Sequence, residues 1–214
     1  MNVTRHEDHR HQDPEEVRQW LEETDPALAR RAAREGAPIL WGAEVGVAAD
    51  GFPGRGYARV GQAATAAVPG PHTRVNPIAA VSAGGPARFM TDRGARGGAL
   101  FVEFVRRRLR STAGEVFLIV DRLRAHEDGP VAEGLGRHRD CIEVFSLPRR
   151  APGLNPEEYL PNDLKGQVKS EGLPETKGDL RSRMQRFMHR LVHLPGHVMS
   201  YFQHPCVRYA ADNT

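Results

Sequence analysis

The feature that most constrains the fold of this chain is a run of five apolar residues that ends at a carboxylate. Residues 116–120 are apolar at every position, and Asp121 follows them directly. A strand that is apolar on both faces is typical of the centre of a parallel sheet, with helices covering either side. Because open α/β sheets bind their ligands beyond the carboxyl ends of parallel strands, Asp121 is a candidate site residue. The alternative is an Asp that only caps a turn.

The segments around this run predict the class of the fold. Apolar and alternating patterns predict strands at residues 38–47, 57–60, 63–68, 75–82, 87–90 and 142–147. Helical spacing and capping residues predict helices from Asp13, over 26–35 as far as Gly36, over 100–109, over 130–137, from Asn155 and over 180–192. Antiparallel strands followed by alternating helices and strands predict an α/β fold, a mixed sheet with helices on both faces.

Composition excludes several classes of protein and favours none strongly. The 30 Lys and Arg residues against 27 Asp and Glu residues give a formal charge of +3. This supports nucleic-acid binding only weakly, since Arg-rich chains are also typical of GC-rich coding sequences. The two cysteines, Cys141 and Cys206, form no Cys-x-x-Cys pair, which argues against a zinc site. No apolar run reaches membrane length, and we expect a cytoplasmic protein.

A second candidate carboxylate lies in the segment Leu154-Asn155-Pro156-Glu157-Glu158. Asn155 can cap a helix that starts at Pro156, which places Glu158 at the third helical position, as in a capping box. Glu158 then either satisfies a backbone donor or is delivered toward the strand ends by a short rigid loop. Asn162 and Lys165 follow four and seven residues later, so they share its helix face.

Two further segments have candidate roles. The strand that contains Trp41-Gly42-Ala43-Glu44 has an acid, but Glu44 and Ala43 point to opposite faces. The helix over 100–109 is followed by, and interleaved with, arginines that could contact DNA phosphates, with a solvated face as an equally acceptable alternative. The candidates are Arg106, Arg107 and Arg110.

These motifs, in this order, resemble the catalytic domain of DDE transposases of the mariner-like bacterial insertion-sequence superfamily. That family has a strand ending in Asp with a His soon after, as in Asp121 with His126 here. It then has Leu-Pro, Pro-x-Leu-Asn-Pro-x-Glu and a helical Lys, which match Leu147-Pro148, residues 152–158 and Lys165. The spacing between Asp121 and Glu158 is also typical of the family.

The resemblance extends over about residues 13–211. The segment 55–62 resembles the family stretch that ends in Gly-Gln-Thr-Pro, and 75–82 resembles its next strand. Residues 202–211 resemble the family's C-terminal ending. Each motif is weak by itself, but their common order and spacing are specific.

The resemblance implies a ribonuclease-H-like catalytic domain at residues 37–214, preceded by a helical linker segment at 1–36. It implies cleavage and strand transfer of DNA phosphodiesters by two divalent metals, Mg²⁺ or Mn²⁺. Asp121 and Glu158 would be catalytic metal ligands. DNA would be contacted by Lys165 and Asn162, and possible protein partners are a second copy or a full-length transposase.

Two departures from the family pattern change this expectation. Ala43 stands where the family has its leading catalytic Asp, because Glu44 matches the Glu that follows that Asp. The helix-turn-helix region that recognises transposon ends has no counterpart before residue 13. We therefore expect impaired catalysis, weak or absent metal binding and DNA contacts that ignore sequence. The alternatives are a non-catalytic DNA-binding or dimerisation module and, less favoured by the Leu154–Glu158 motif, an unrelated ribonuclease-H-like nuclease.

Overall fold

The computed structural model describes residues 12–48, 74–91, 98–110, 115–121, 129–138 and 141–213. Its strands are Ile39–Glu44 (β1), Val47–Ala48 (β2), Arg74–Val75 (β3), Ile78–Val81 (β4), Ala87–Met90 (β5), Val116–Val120 (β6) and Ile142–Ser146 (β7). Five of them form one sheet in the order β5-β4-β1-β6-β7, and β2 pairs with β3 separately. The predicted strands 57–60 and 63–68 lie outside the described residues.

The middle of the sheet is the junction between its antiparallel and parallel halves. Strand β1 pairs antiparallel with β4 and parallel with β6, and β6 pairs parallel with β7. All five residues of β6 are buried, which confirms the central parallel strand that its apolar run predicted. Gly42 stands opposite Val120 in the register of β1 and β6. The residues that follow them, Ala43 and Asp121, therefore lie at the same edge of the sheet.

Helices cover both faces of this sheet. They are Pro14–Gln19 (α1), Asp25–Glu35 (α2), Gly98–Arg110 (α3), Gly129–Gly136 (α4), Tyr159–Ser170 (α5), Lys177–Val192 (α6) and Pro195–Tyr201 (α7). Trp41 and Ile119 pack with α2, α5, α6 and α7 on one face, whereas Leu40 and Leu118 pack with α3 and α4 on the other. Alternation along each strand therefore divides the sheet residues between two apolar layers. Within the described ranges, no helix combines the length and apolar character that crossing a membrane requires.

The first two predicted helices form one continuous helical stretch. Asp13 caps its start, a π-helical turn at Trp20–Thr24 joins α1 to α2, and Gly36 ends it in the left-handed conformation at φ 63°. The indole N–H of Trp20 donates to the hydroxyl of Tyr209 over 3.1 Å. The N-terminal helices are thus attached to the C-terminal end of the chain.

Three strand predictions differ from the structure. The strand predicted over 38–47 is divided into β1 and β2, which belong to different sheets. The strand predicted over 75–82 is divided into β3 and β4 at Asn76-Pro77, because proline has no N–H to donate to a ladder. The strand predicted as buried over 142–147 is β7, at the edge of the described sheet. Within β7 only Ile142 is buried. An edge strand has a neighbour on one side only, so its other residues stay partly exposed.

Replacement of Asp25 by Asn is expected to remove a pH dependence of stability. Asp25 is 3% exposed and accepts a hydrogen bond from the Asn213 amide over 2.8 Å. Burial raises its pKa from 3.8 to about 6 despite that hydrogen bond. A carboxyl whose pKa is raised on folding stabilises the protein at low pH and loses this contribution as the pH rises through 6.

Asp25→Asn should therefore be about 1–2 kcal/mol more stable than the wild type at pH 7.5. At pH 4 the two proteins should be equal. Urea unfolding at both pH values measures the difference, with the exposed neighbour Asp212→Asn as the control. A wild-type stability that is as high at pH 7.5 as at pH 4 would contradict this account of Asp25.

Candidate active site

Ala43 and Asp121 lie at the carboxyl ends of two neighbouring parallel strands. Trp41 and Ile119, two residues earlier, are fully buried, whereas Ala43 and Asp121 are partly exposed. Because side chains alternate along a strand, Ala43 shares the face of Trp41, and Asp121 shares the face of Ile119. Both of those residues belong to one core cluster. Positions 43 and 121 are therefore at one edge and on one face of the sheet.

The segment that includes Glu158 reaches this edge through Asn155. Asn155 is fully buried between two 3₁₀ turns, Pro152–Leu154 and Pro156–Glu158. Its Nδ2 donates to the Gly42 carbonyl and to Oδ1 of Asp121, each over 3.3 Å. Asn155 thus connects the ends of β1 and β6 to the turn that precedes α5.

The capping role predicted for this segment is present, with one difference. The Asn155 side chain accepts from the N–H of Glu157 over 3.0 Å, so it caps the short 3₁₀ turn. Glu158 ends that turn and is itself the residue before α5. The contact between Asn155 and Asp121 has no sequence signal, because the two residues lie 34 positions apart.

A third carboxyl group, which the sequence motifs did not single out, lies in the same place. Glu157 is fully buried, and neither of its carboxyl oxygens has a hydrogen-bond partner among the described residues. Burial raises its pKa well above the usual value, and the charges of Glu158 and Asp121 raise it further. In the sequence, the only sign of a further carboxyl group is the pair of consecutive acids after Asn-Pro, and this pair does not indicate that Glu157 is buried.

The predicted DNA-binding residues fall into two groups. Asn162 is exposed on α5, where its amide donates to the Glu158 carbonyl over 3.5 Å. Lys165 is partly exposed on the same helix, about one turn farther on. The structure therefore brings these two residues onto the helix that begins beside the candidate site.

The arginine group lies on the other side of the sheet. Arg106 and Arg107 both donate to Glu103 on their own helix, over 2.8 and 2.9 Å, and hold the pKa of Glu103 at about 2. Helix α3 packs against the face of Leu118, opposite to the face of Asp121. The structure thus does not bring these arginines to the candidate site. The side chain of Arg110 and the residue His126 lie outside the described parts.

The oxygen donors at this edge fit one hard divalent cation. Mg²⁺ is usually held by one or two carboxylates together with phosphate oxygens and waters, and Asp121 and Glu158 are the two that would supply them here. The unpaired, buried carboxyl of Glu157 beside them is a group whose charge a cation would compensate. The side chain of Ala43 has no oxygen, and Glu44 is on the opposite face. Among the described residues, no three His, Cys, Asp or Glu side chains are grouped closely enough to hold an ion as they stand.

Removal of the Asn155 side chain is expected to destabilise this edge of the protein. Asn155→Ala loses the cap on Glu157 and the two bonds to Gly42 and Asp121. We expect a loss of about 2–3 kcal/mol in the free energy of unfolding. Urea unfolding measures it, and Asn162→Ala, at an exposed position, should cost about 0.5 kcal/mol or less. If the two variants unfold alike, Asn155 does not hold the strand ends together.

Comparison with known proteins places these residues in a family. The family model described as DDE superfamily endonuclease matches residues 38–181, which is more than half of the chain and includes Ala43, Asp121 and Glu158. No curated protein matches the sequence significantly.

Several solved structures are similar in fold. The Mos1 mariner paired end complex with Mn has a TM-score of 0.59 at 16% identity, over 100% of this chain and 67% of the Mos1 chain. The corresponding complex with Mg has a TM-score of 0.56 at 16% identity, with the same coverage of both chains. The catalytic domain of Mos1 mariner transposase has a TM-score of 0.52 at 15% identity, over 95% of this chain and 97% of that chain.

At such identities the likeness shows the fold alone. It confirms the predicted mixed sheet of antiparallel and parallel strands with helices, which resembles the ribonuclease-H-like catalytic domain of Mos1. This chain spans about two thirds of the length of the Mos1 chains in the paired end complexes.

Proposed function

This chain belongs to the DDE superfamily endonuclease family, and from that membership we propose that it is the catalytic domain of a DNA transposase. We assign it to the mariner-like bacterial insertion-sequence type on the motifs of residues 13–211. The observation that supports the proposal is that Asn155 connects the ends of β1 and β6, at Gly42 and Asp121, to the turn that includes Glu158. In this proposal residues 37–214 are the catalytic domain, and residues 1–36 are the helical segment that leads into it.

The proposed chemistry is cleavage and transfer of DNA phosphodiesters. A bound Mg²⁺ or Mn²⁺ would polarise the phosphoryl group and stabilise the attacking and leaving oxygens. Asp121 and Glu158 are the residues that would hold it. Asn155 orients the Asp121 carboxylate by donating to Oδ1. Glu158 is the residue that precedes α5, at the N-terminal end of that helix. The Mos1 complexes with Mn and Mg support a divalent ion as the cofactor.

Ala43 is the reason to propose that this activity is impaired. The position is at the sheet edge beside Asp121, but an Ala side chain has no ligand atom. This observation favours a second candidate function, a non-catalytic module that binds DNA or a full-length transposase and represses it. Metal-dependent nicking of supercoiled DNA distinguishes the two: the catalytic domain nicks, whereas the repressor binds without nicking.

We expect the protein to bind DNA without sequence preference and with strong salt dependence. The contacts proposed here are to phosphates, and the candidate donors are Lys165 and Asn162 on α5, the helix that begins beside the site. With about four phosphate contacts, affinity should fall about 100-fold between 50 and 200 mM salt. Fluorescence anisotropy with duplexes of unrelated sequence measures both the slope and the preference.

Lys165→Ala should reduce the slope of log affinity against log salt by about one. Arg107→Ala is the matched control, since Arg107 is paired with Glu103 on the opposite layer and should leave the slope unchanged. An affinity that does not respond to salt, or that strongly prefers one sequence, would contradict this mode of binding.

A further inference from the structure

We propose that Glu157 supplies the third carboxylate of the metal site, in place of the one that is missing at Ala43. The inference rests on the proposed function, because it requires a divalent cation at Asp121 and Glu158. It goes beyond the family resemblance, in which Glu157 occupies the variable position of the Asn-Pro-x-Glu motif.

The position of the turn is the first support. The turn Pro156–Glu158 packs against β1 and β4. On these strands Ala43 and Ala79 are cross-strand partners, and both are small. Asn155 fixes the turn to β1 through the Gly42 carbonyl, the residue next to Ala43. The turn that carries Glu157 is therefore fixed to the residue next to the position from which a ligand has been lost.

The state of the Glu157 side chain is the second support. A buried carboxyl without a hydrogen-bond partner is strongly unfavourable unless a cation or a proton compensates its charge. Both oxygens of Glu157 are in this state within the described structure. Its carboxyl is also near enough to Asp121 and Glu158 for their charges to act on it. One cation among the three would turn this repulsion into attraction.

The number of carboxylates is the third support. The resemblance implies three acids at the site, and Ala43 leaves two. Glu157 restores the number to three, with the acid moved from the end of β1 to the turn before α5. No three acids are grouped as ligands in the described conformation, so Glu157 must turn toward Asp121 when the ion binds. Because its carboxyl makes no hydrogen bond, this rotation breaks none.

The test is a titration of the whole protein with Mn²⁺. Binding is measured by electron paramagnetic resonance, from the loss of the signal of the unbound ion. The wild type should bind one ion, and Glu157→Gln should weaken this binding at least tenfold while keeping the size of the side chain. Glu175→Gln removes the same charge from an exposed position and should bind as the wild type does. Ala43→Asp combined with Glu157→Gln should restore binding, because the third carboxylate then comes from β1.

Two results would overturn the inference and leave the proposed function intact. One is a Glu157→Gln protein that binds Mn²⁺ as tightly as the wild type, while Asp121→Asn abolishes binding. The other is a wild type that binds no Mn²⁺, while Ala43→Asp alone binds it. If binding survives Asp121→Asn, Glu158→Gln and Glu157→Gln alike, the ion is elsewhere, and both the inference and the proposed site are wrong.

Discussion

Replacement of Ala43 by Asp is expected to raise the melting temperature in saturating Mn²⁺ by about 5–10 °C relative to the metal-free variant. An ion that binds only the native state, at about a hundred times its dissociation constant, adds about 2.7 kcal/mol to the free energy of unfolding. The wild type, with one ion to bind and without the carboxylate at position 43, should show a smaller rise. The new carboxylate would stand next to Asp121, where it could bridge two ions.

Without metal the same substitution is expected to destabilise the protein. An Asp at position 43 adds a negative charge beside Asp121, Glu157 and Glu158, and this repulsion raises the pKa of at least one of them. Groups with a raised pKa lose their stabilising contribution as the pH rises, so the metal-free variant should be less stable at pH 7 than at pH 5. Differential scanning fluorimetry across pH and Mn²⁺ concentration separates the two effects.

Two controls make this result specific to the strand-end site. Ala43→Asn has nearly the same size as Ala43→Asp but no charge, and should gain little from Mn²⁺. Addition of Asp121→Ala or Glu158→Ala to Ala43→Asp should abolish the gain. If Ala43→Asp leaves the metal response unchanged, position 43 is not the vacated ligand position, and the alignment of β1 with the family is in error.

Truncation of Trp41 to Ala is expected to have the largest effect on stability, a loss of about 3–5 kcal/mol. Trp41 is completely buried and packs edge-on with Trp20 and Tyr209, at ring-centroid distances of 6.4 and 5.8 Å. Trp20 comes from the N-terminal helices and Tyr209 from the C-terminal end, so the Ala variant leaves a cavity where three parts of the chain meet. The melting temperature should fall by about 10 °C or more.

Trp41→Phe is the matched control for this prediction. The indole N–H of Trp41 has no hydrogen-bond partner within the described structure, so Phe gives up no hydrogen bond. It keeps an aromatic ring against Trp20 and Tyr209, and we expect it to cost about 1.5 kcal/mol or less. Denaturant unfolding of both variants gives the comparison. Equal losses for Ala and Phe would show that ring packing is not what stabilises this cluster.

The sequence determined those features that depend on neighbouring residues. The apolar run before Asp121 predicted the central strand, because a strand buried on both faces needs apolar residues at every position. Gly36 and the Asp13 cap gave the ends of the N-terminal helical stretch, since both act within one helical turn. The ordered motifs also predicted the mixed sheet. They further predicted that positions 43, 121 and 158 belong to one metal site.

Only the tertiary structure decided how distant residues meet. The bond from Asn155 to Asp121 and the burial of Glu157 depend on which strands are neighbours and where the following turn packs. The arginines of α3 lie on the other side of the sheet from the site. The sequence could not predict this, because a helical pattern does not say which face of the sheet the helix covers. The attachment of Trp20 to Tyr209 joins residues 189 positions apart. Local propensity and periodicity carry no information over such separations, and packing does.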